Sequence, residues 1–525
     1  MAKRHKAPWL SLSALVACGA TPHSAAAPSA AAVRARPDVA AAAPTGSGLA
    51  PAPTRSGPGA RCDTPGLPSR FTLVHFNDMQ ARYADLLGGK SRWAYVAGYV
   101  RALKAEGPTL ALDAGDDYEK GSIAELRSMG ETTRQMLQAM PIDVRTIGNH
   151  DFAYGEAAVV RDVLMSAHPV LSANVGRGLD KGPFAPYARV DVGCVRVGVV
   201  GLTTYNYGAD DQPTRDPYDG VFHYDDRLWQ ILDEEVKKHR AEVDVMIALT
   251  HLGQTIDVGL AHAVAGIDLI VGAHSEDVLD KPLTFHRGNG AVYVLQAGHY
   301  ARTLGRAEVV VGADRRVSIE RYRIVNVDET LPVAQDVSDL AAKLEREFVP
   351  DARATLAVVE SPIGVGKPMA DLVWRAAKER WGIDALVIGK DVFWEGLPAG
   401  PLTLQRLYES VYVQREPAGT PGFSSLYLVE MTGREVHAAR ARLIVPSPSA
   451  PPAAPGVPPV EYAMYVPDSI SPGKTYRVAI DKRALTYPNI AFYGPPRFPA
   501  GKYAGELIDV LEAYARARTA KGLSL

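Results

Sequence analysis

Short apolar segments that end in polar loops recur along the chain from residue 71 onward. Each segment has four to six residues and is rich in β-branched or aromatic side chains, which is typical of a buried strand. Because these segments alternate with helical patterns, we predict a layered α/β fold whose site lies at the carboxyl ends of strands. The segments and the loops after them are Phe71 to Phe76 before Asn77-Asp78-Met79-Gln80, Thr109 to Leu112 before Asp113-Ala114-Gly115-Asp116, Ile142 to Ile147 before Gly148-Asn149-His150-Asp151, Val245 to Leu249 before Thr250-His251, and Ile267 to Val271 before Gly272-Ala273-His274-Ser275-Glu276.

Length and composition limit the class of protein. At about 150 residues per domain, 525 residues correspond to roughly three units, including tails. Lys and Arg total 57 against 59 Asp and Glu, so bulk positive charge does not indicate a nucleic-acid binder. Beyond the N-terminus, apolar runs are interrupted well before the ~20 residues that cross a bilayer. We therefore expect a globular body with no nucleic-acid polymer as partner.

The N-terminus carries an export pattern. A basic head at Lys3, Arg4 and Lys6 precedes an apolar stretch, and the tetrapeptide Leu15-Val16-Ala17-Cys18 follows. This tetrapeptide resembles a bacterial lipobox, in which the cysteine becomes the lipid-bearing N-terminus. We predict a lipoprotein signal over residues 1–17 and lipidation at Cys18, which anchors the protein in a bacterial cell envelope. A plain secretory signal with a chance cysteine is the alternative.

A tether is predicted between the signal and the globular body. Residues 18–68 consist mainly of Ala, Pro, Ser, Gly and Thr, and such a segment buries too little apolar surface to fold. The remaining cysteines, Cys62 and Cys194, are compatible with one disulfide in an oxidising compartment and equally with two free thiols. No function is assigned to them.

Metal chemistry explains the residue types in the five loops. Two divalent cations ~3.5–4 Å apart need a shared carboxylate, with oxygen and imidazole ligands completing each coordination shell. Asp116 is the natural bridge, because its Gly-Asp loop lets the backbone approach the cations closely. Taken singly, Asp and His after a strand are typical turn or capping residues. Their recurrence after five strands predicts a metal centre.

The order of these loops resembles the calcineurin-like metallophosphoesterases and, more closely, the exported two-domain 5′-nucleotidases. The resemblance implies a four-layer metallophosphoesterase-type β-sandwich flanked by helices over residues 69–330. It further implies a linker helix within 331–356 and a second α/β domain for substrate recognition over 357–525. Besides the five loops, it rests on Leu86-Leu87-Gly88-Gly89, Ser172-Ala173-Asn174, Val197-Gly198-Val199-Val200-Gly201-Leu202-Thr203, Thr250-His251-Leu252-Gly253 and Gln296-Ala297-Gly298.

The resemblance also implies two sets of metal ligands. The first set is Asp116, Asn149, His251 and His274, and the second is Asp78, Gln80, Asp116 and Glu276. Family members usually have His at position 80 and His or Gln at position 276, so the second set here contains only oxygen donors. Oxygen donors favour Mn²⁺, Mg²⁺ or Ca²⁺ over Zn²⁺, and we expect two divalent cations, with Mn²⁺ favoured. The alternative is that the second site is weak or empty; His299 is either a further donor or an ordinary side chain.

Phosphoester hydrolysis is the chemistry that the resemblance implies. His150 matches the histidine that assists the departing oxygen, and Asp151 is the second predicted catalytic residue. Nucleotidases usually place an Asp three residues after this histidine to orient it, but this chain has Ala153 there. If nothing replaces that carboxylate, the orientation of His150 is less restricted and the rate should fall.

The C-terminal half departs further from the family. Trp394 occupies the position of an Arg that holds phosphate in the nucleotidases, and Trp lacks the charged fork of Arg. Trp394, Phe492 and Tyr493 are candidates for stacking on a flat ring, whereas scattered aromatic side chains more often contribute to packing.

In the N-terminal half, Asn149 is also a predicted substrate contact.

Two functions from different classes remain open. The first is an envelope-anchored, monomeric hydrolase of nucleotides or related phosphate esters, for which an unrelated phosphate or sulfur ester is the alternative substrate. The second is a non-catalytic protein of the same fold that binds metal or ligand. The complete first ligand set and His150 favour the enzyme, whereas Gln80, Ala153 and Trp394 favour lost catalysis.

Overall fold

The computed structural model describes residues 69–177, 182–204, 222–288, 290–411, 424–444, 462–486 and 501–525. All of these residues belong to one compact unit. Within them, no helix has the length and apolar character that crossing a membrane requires. The predicted signal with Cys18, the tether with Cys62, and the candidate aromatics Phe492 and Tyr493 lie outside the described residues.

The N-terminal part of the described chain contains two six-stranded sheets. Its strands are β1 (Ser69–Phe76), β2 (Leu86–Leu87), β3 (Lys90–Ser91), β4 (Thr109–Asp113), β5 (Val144–Thr146), β6 (Val170–Leu171), β7 (Val175–Arg177), β8 (Tyr187–Val192), β9 (Val195–Thr203), β10 (Phe222–Tyr224), β11 (Val245–His251), β12 (Leu269–Val271), β13 (Leu283–Arg287), β14 (Gly290–Leu295), β15 (Thr303–Val311) and β16 (Val317–Asn326). Its helices are α1 (Arg92–Glu106), α2 (Ile123–Ser128), α3 (Glu131–Ala139), α4 (Glu156–Met165), α5 (Leu228–His239), α6 (Gln254–Ala263) and α7 (Gln335–Phe348).

The two sheets pack face to face. Their strand orders are β16-β15-β1-β4-β5-β6 and β13-β14-β12-β11-β9-β8. The neighbours β1, β4, β5 and β6 are parallel in the first sheet, as are β9, β11, β12 and β14 in the second. On β1, Phe71 and Leu73 belong to the core between the sheets, whereas Val74 and Phe76 belong to the core under the helices. Burial of both faces explains why these strands read as continuous apolar runs.

Helices cover the outer face of each sheet. Helices α1, α3 and α7 contribute to the core outside the first sheet, and α5 and α6 to the core outside the second. On α5, the buried residues Leu228, Leu232 and Val236 recur every four positions, which places them on one face of the helix. The predicted four-layer sandwich is confirmed. Helix α7, which follows the sandwich in sequence, packs into the core of α1 and α3.

A third sheet organises the C-terminal part of the described chain. Its five strands follow the order β21-β18-β22-β20-β23, with helical cores on both faces, so the predicted second α/β region is confirmed. The strands of this part are β17 (Thr355–Val359), β18 (Ala385–Gly389), β19 (Gly400–Thr403), β20 (Ser425–Thr432), β21 (Tyr462–Tyr465), β22 (Thr475–Asp481) and β23 (Lys502–Glu506). Its helices are α8 (Lys367–Trp381), α9 (Leu404–Glu409), α10 (Gly433–Ile444), α11 (Lys482–Thr486) and α12 (Leu507–Ala520). The domain boundaries at 330 and 357 stay a prediction.

Helix α2 joins the two parts. Its residues Ile123, Ala124 and Leu126 are buried in the C-terminal core. The backbone N–H of Ile123 donates to Gln405 Oε1 at 3.0 Å, and Gln405 Nε2 donates to the carbonyl of Gly121 at 2.8 Å. Because α2 follows the loop that carries Asp116, this contact anchors one wall of the candidate site to the C-terminal part.

Candidate metal centre

The predicted ligands meet at one edge of the sandwich. Parallel neighbours end at the same edge of a sheet, so the loops after β1, β4 and β5 face those after β11 and β12. Backbone hydrogen bonds hold the first two loops together: the N–H of Asp78 donates to Gly115 at 2.8 Å, and that of Gln80 to Asp116 at 2.9 Å. Tertiary structure therefore brings together side chains that are far apart in sequence.

Backbone conformation at the ligand positions is unusual. Five predicted ligands have the positive φ of the left-handed region, which non-glycine residues adopt in only a few per cent of cases. Such conformations cost free energy, persist where the surroundings hold them in place, and cluster at functional sites. The five are Asp78 (φ 51°), Gln80 (42°), Asp116 (60°), His274 (77°) and Glu276 (57°).

Gly148 permits the closest approach within the centre. A Cβ atom at this position would lie 2.1 Å from Asp116 Oδ1 and 2.6 Å from His251 Cε1. No side chain fits in that space, so glycine is required for the loop after β5 to pass beside the carboxylate.

The first half-site comprises Asp116, Asn149, His251 and His274. Three of its potential ligand atoms, from Asp116, His251 and His274, lie within 4.8 Å of one another. The ring N–H at His251 Nδ1 donates to the carbonyl of Ala114 at 2.8 Å, which leaves a lone pair on Nε2. That Nε2 lies 3.0 Å from Asp116 Oδ2. Two acceptors at this distance need a proton or a cation between them, so the donor set fits a metal ion.

The second half-site comprises Asp78, Gln80, Asp116 and Glu276. Asp78 Oδ2 accepts from Asn77 Nδ2 at 2.6 Å and from the backbone N–H of His274 at 3.1 Å. Gln80 Nε2 donates to Glu276 Oε1 at 3.4 Å. Among the described residues, no donor reaches the buried Gln80 Oε1. Because a buried acceptor without a donor is costly, a cation is a fitting partner for this oxygen.

His299 lies beside the second half-site. Its Nδ1 is 3.3 Å from Glu276 Oε2, and both side chains are about one-third exposed. The oxygen donors of this half-site therefore have an imidazole next to them. From the sequence alone, His299 could equally have been an ordinary side chain away from the ligands. An imidazole makes the half-site more suitable for Zn²⁺ or Mn²⁺ than carboxylates alone would.

The charges of the centre are strongly coupled. Burial raises the pKa of Asp78 to about 7. Burial also acts to raise the pKa of Asp116, but the adjacent His251 and His150 hold that pKa below its ordinary value. For His251, burial lowers the pKa, yet Asp116 raises it to about 10. Protons thus supply the positive charge that balances the buried carboxylates, and metal cations can replace these protons.

His150 has a carboxylate partner, although Ala153 occupies the family's usual position for one. Glu119 Oε2 lies 2.5 Å from His150 Nδ1, and both side chains are buried. Glu119 belongs to the loop between β4 and α2 and has a left-handed φ of 69°. Ala153 lies in the apolar core that α1 and α3 share.

Asp151, the second predicted catalytic residue, lies between the loops after β4 and β5, and its catalytic role stays a prediction. Its Oδ2 accepts the backbone N–H groups of Gly148 at 2.6 Å and Asp116 at 3.0 Å, and its Oδ1 accepts that of Asp117 at 3.0 Å. Both oxygens therefore bind backbone amides. The carboxylate of Asp151 joins the loops after β4 and β5, and the contact to the His150 ring comes from Glu119 instead.

Trp394 lies at the boundary between the metal-binding loops and the C-terminal part. Its ring is 42% exposed, 6.5 Å from the Tyr300 ring and 5.3 Å from Lys120 Nζ. Lys120 directly follows Glu119, and its charge also acts on His274 and His299. The position where the family has Arg thus has a lysine side chain from another loop next to it.

Cys194 is disulfide-bonded, and the other predicted member of the pair, Cys62, lies outside the described residues.

Three residues of the centre were not singled out in the sequence. Asn77 donates to Asp78 and to the carbonyl of Gly298, both at 2.6 Å, and so joins two loops. Its position directly after β1 was a usable signal. Glu119 and Lys120 lie in a charged stretch after Asp116, but no local pattern indicates which of these side chains turns inward.

Several curated proteins are similar to this chain in sequence. No protein-family model matches the chain. An apyrase from Tabanus yao is 28% identical over 53% of this chain and 54% of its own length. Several other curated relatives are 5′-nucleotidases. The matched stretches span about half or less of these relatives.

Solved structures share the fold over most of the chain. The 5′-nucleotidase precursor from Thermus thermophilus superposes with a TM-score of 0.65 at 20% identity, covering 86% of this chain and 96% of that one. The sulfate thiohydrolase SoxB from the same organism gives 0.59 at 20% identity, covering 85% and 94%. The chain is thus similar in sequence to 5′-nucleotidases and shares its fold with a solved 5′-nucleotidase precursor over most of its length.

Proposed function

We propose that the protein is a metal-dependent phosphoester hydrolase that acts on nucleotides or related phosphate esters through two divalent cations. The observation that carries this proposal is the convergence of Asp116, His251 and His274, with ligand atoms within 4.8 Å, at the joint edge of two sheets. Asp78 lies beside the same histidine, His251, and the linked side chains of Gln80 and Glu276 supply further donors of a second set. Asp116 contributes to both sets.

Different residues of the chain have different roles in hydrolysis. The two half-sites hold the cations, which would activate water and neutralise charge on the phosphoryl oxygens. Asn149 contacts the phosphoryl group, and His150 assists the departing oxygen from the same loop. The loops after β4 and β5, joined by Asp151, hold these groups in a fixed arrangement.

A nucleotide is the proposed substrate class. The relatives named apyrase and 5′-nucleotidase support it, as does an exposed aromatic ring at the edge of the centre. Trp394 offers a face for a flat base, and Lys120 offers the positive charge that the family places on Arg at position 394. Phe492 and Tyr493 remain further candidates for this surface.

We also propose an envelope location with a lipid anchor at Cys18, on the strength of the lipobox pattern, and a monomeric state. Mass spectrometry of the mature N-terminus tests the anchor. A diacylglyceryl group on Cys18, lost in Cys18→Ser, is expected, whereas a cleaved chain without lipid indicates a plain secretory signal. Light scattering of detergent-solubilised protein tests the monomer.

The hydrolase proposal is tested by metal content and turnover together. We expect two cations per purified full-length chain, hydrolysis of 4-nitrophenyl phosphate and 5′-AMP with added Mn²⁺, and loss of turnover on chelation that Mn²⁺ restores. A folded chain that binds cations but hydrolyses no ester in a panel of nucleotides, sugar phosphates and sulfur esters would instead support the non-catalytic alternative.

A further inference from the structure

We propose that Glu119 is the positioning residue for His150 and takes the role of the carboxylate that the chain lacks at position 153. This inference deepens the proposed function and rests on it. The observation is the 2.5 Å contact between Glu119 Oε2 and His150 Nδ1 in a buried environment. A carboxylate so close accepts the Nδ1–H bond and thereby directs the opposite edge of the ring, with Nε2, away from Glu119.

The backbone around Glu119 is held for this contact. Its N–H donates to Glu125 Oε1 at 2.7 Å, and the same oxygen accepts from the Tyr154 hydroxyl at 2.7 Å. Glu125 Oε2 accepts from Thr133 Oγ1 at 2.6 Å. Because Glu125 is fully buried and its two oxygens are both bound, it supports the left-handed turn at Glu119.

The ring of His150 lies next to the metal ligands. Its backbone N–H donates to Asp116 Oδ1 at 2.7 Å. This hydrogen bond joins the loop that carries His150 to the first half-site. Glu119 contacts the Nδ1 edge of the ring from the loop before α2, so a substrate would have to meet the Nε2 edge.

The step that this arrangement serves is departure of the leaving group. As the oxygen of a water molecule bonds to phosphorus, one proton of that water passes to solvent, and the bond from phosphorus to the leaving oxygen breaks with its electron pair staying on that oxygen. The Nε2–H proton of protonated His150 passes to the oxygen, and the neutral ring regains a proton from solvent. Glu119 keeps its own charge throughout and holds the Nδ1–H bond, so it orients the donor without contacting the substrate.

Leaving-group dependence distinguishes this role from a structural one. In Glu119→Gln, we expect kcat for 5′-AMP to fall by about 10- to 100-fold, with KM within about threefold of wild type. Hydrolysis of 2,4-dinitrophenyl phosphate should change by less than about threefold, because its leaving oxygen needs no proton. The control Glu320→Gln removes an exposed carboxylate on β16 and should change neither ester. Equal losses for both esters, or no loss for either, would overturn the inference.

A readout without turnover separates this inference from the proposed function. In ¹⁵N-histidine spectra of the full-length chain without metal, neutral His150 should be the Nδ1–H tautomer, assigned by its loss in His150→Ala. Glu119→Gln should shift the ring toward a mixture of tautomers, since the amide can either donate or accept. If the wild type hydrolyses no ester yet shows this change, the hydrolase proposal fails and the Glu119 contact stands. Identical ring spectra in wild type and Glu119→Gln would refute the contact itself.

Discussion

The two half-sites of the candidate metal centre differ in how firmly the protein holds their ligands. In the first half-site, His251 is fully buried at the end of β11, and its Nδ1–H is bound to Ala114. In the second, Gln80 and Glu276 are joined by a long contact of 3.4 Å, and the adjacent His299 is partly exposed. The first half-site therefore has one ligand, His251, that is fixed within a strand, whereas Gln80, Glu276 and His299 all lie in loops.

This difference indicates unequal cation affinities. Preorganised ligands lose little conformational entropy on binding, whereas flexible loop side chains lose more. Oxygen donors from an amide and carboxylates also bind late first-row metals less tightly than imidazoles do. We expect the first cation to bind more tightly and the second to be the one that varies with conditions.

The largest expected effect comes from Asp116, the residue common to both half-sites. Asp116→Asn should abolish turnover, with kcat/KM reduced by at least about 10³-fold, or about 4 kcal/mol in transition-state stabilisation. Steady-state kinetics and metal analysis of the same preparation measure it. The exposed Asp314→Asn serves as the matched control and should behave as wild type. Retained turnover in Asp116→Asn would place the centre elsewhere.

Substitutions of His251 and Gln80 test directly whether the two half-sites differ in cation affinity. His251→Ala should lower Mn²⁺ affinity of the tighter site by about 100-fold, whereas Gln80→Ala should weaken only the looser site, by about tenfold. Calorimetric Mn²⁺ titrations of the metal-free chain resolve the two events. The exposed His286→Ala and Gln138→Ala provide controls. If both variants lose affinity equally, the comparison between the half-sites is wrong.

Trp394 tests whether the region beside the half-sites recognises a base. Loss of stacking costs about 1–3 kcal/mol per base, so Trp394→Ala should raise KM for 5′-AMP by about tenfold or more. The KM for glycerol phosphate, which has no ring, should stay within about twofold. Trp229→Ala, which removes a ring of similar exposure on α5, is the matched control. Equal changes for both substrates would argue against base recognition.

Substitution of Glu125 tests whether its buried side chain stabilises the loop between β4 and α2. Burial raises its pKa to about 8, so folding favours the protonated form. The unfolded state loses this proton near pH 4.5, hence the stabilisation is complete below that pH and decreases as pH rises toward 8. Glu125→Gln should flatten this decline by roughly 1–3 kcal/mol between about pH 5 and 8, as measured by urea unfolding. An unchanged pH dependence would contradict the assignment.

Much of the fold and of the ligand set could be predicted from the sequence. Apolar runs of strand length, each followed by a polar loop, indicated the parallel strands and the edge at which Asp78, Asp116 and His251 meet. Parallel strands in one sheet end at one edge, so side chains directly after them converge whatever their separation in the chain. These predicted ligands lie at the end of a regular strand or two or three residues after it.

Contacts between two irregular loops could not be predicted from the sequence. The family resemblance gave Asp151, next to His150, as a second catalytic residue, but the sequence did not decide whether its carboxylate faces the ring. In the structure, the 3-10 turn at His150–Phe152 aims Asp151 at backbone amides. Glu119, 31 positions earlier, reaches the ring instead.

The sequence alone determined the layered α/β architecture and the strand-end ligands, because hydrophobic periodicity is a local property that every strand displays. Only the tertiary structure decided that Glu119 faces His150, that His299 lies beside Glu276 and that Lys120 lies near Trp394. These contacts depend on left-handed backbone turns and on the packing of α2 against the C-terminal core. Neighbouring residues do not specify such turns, because the free energy that holds them comes from distant parts of the chain.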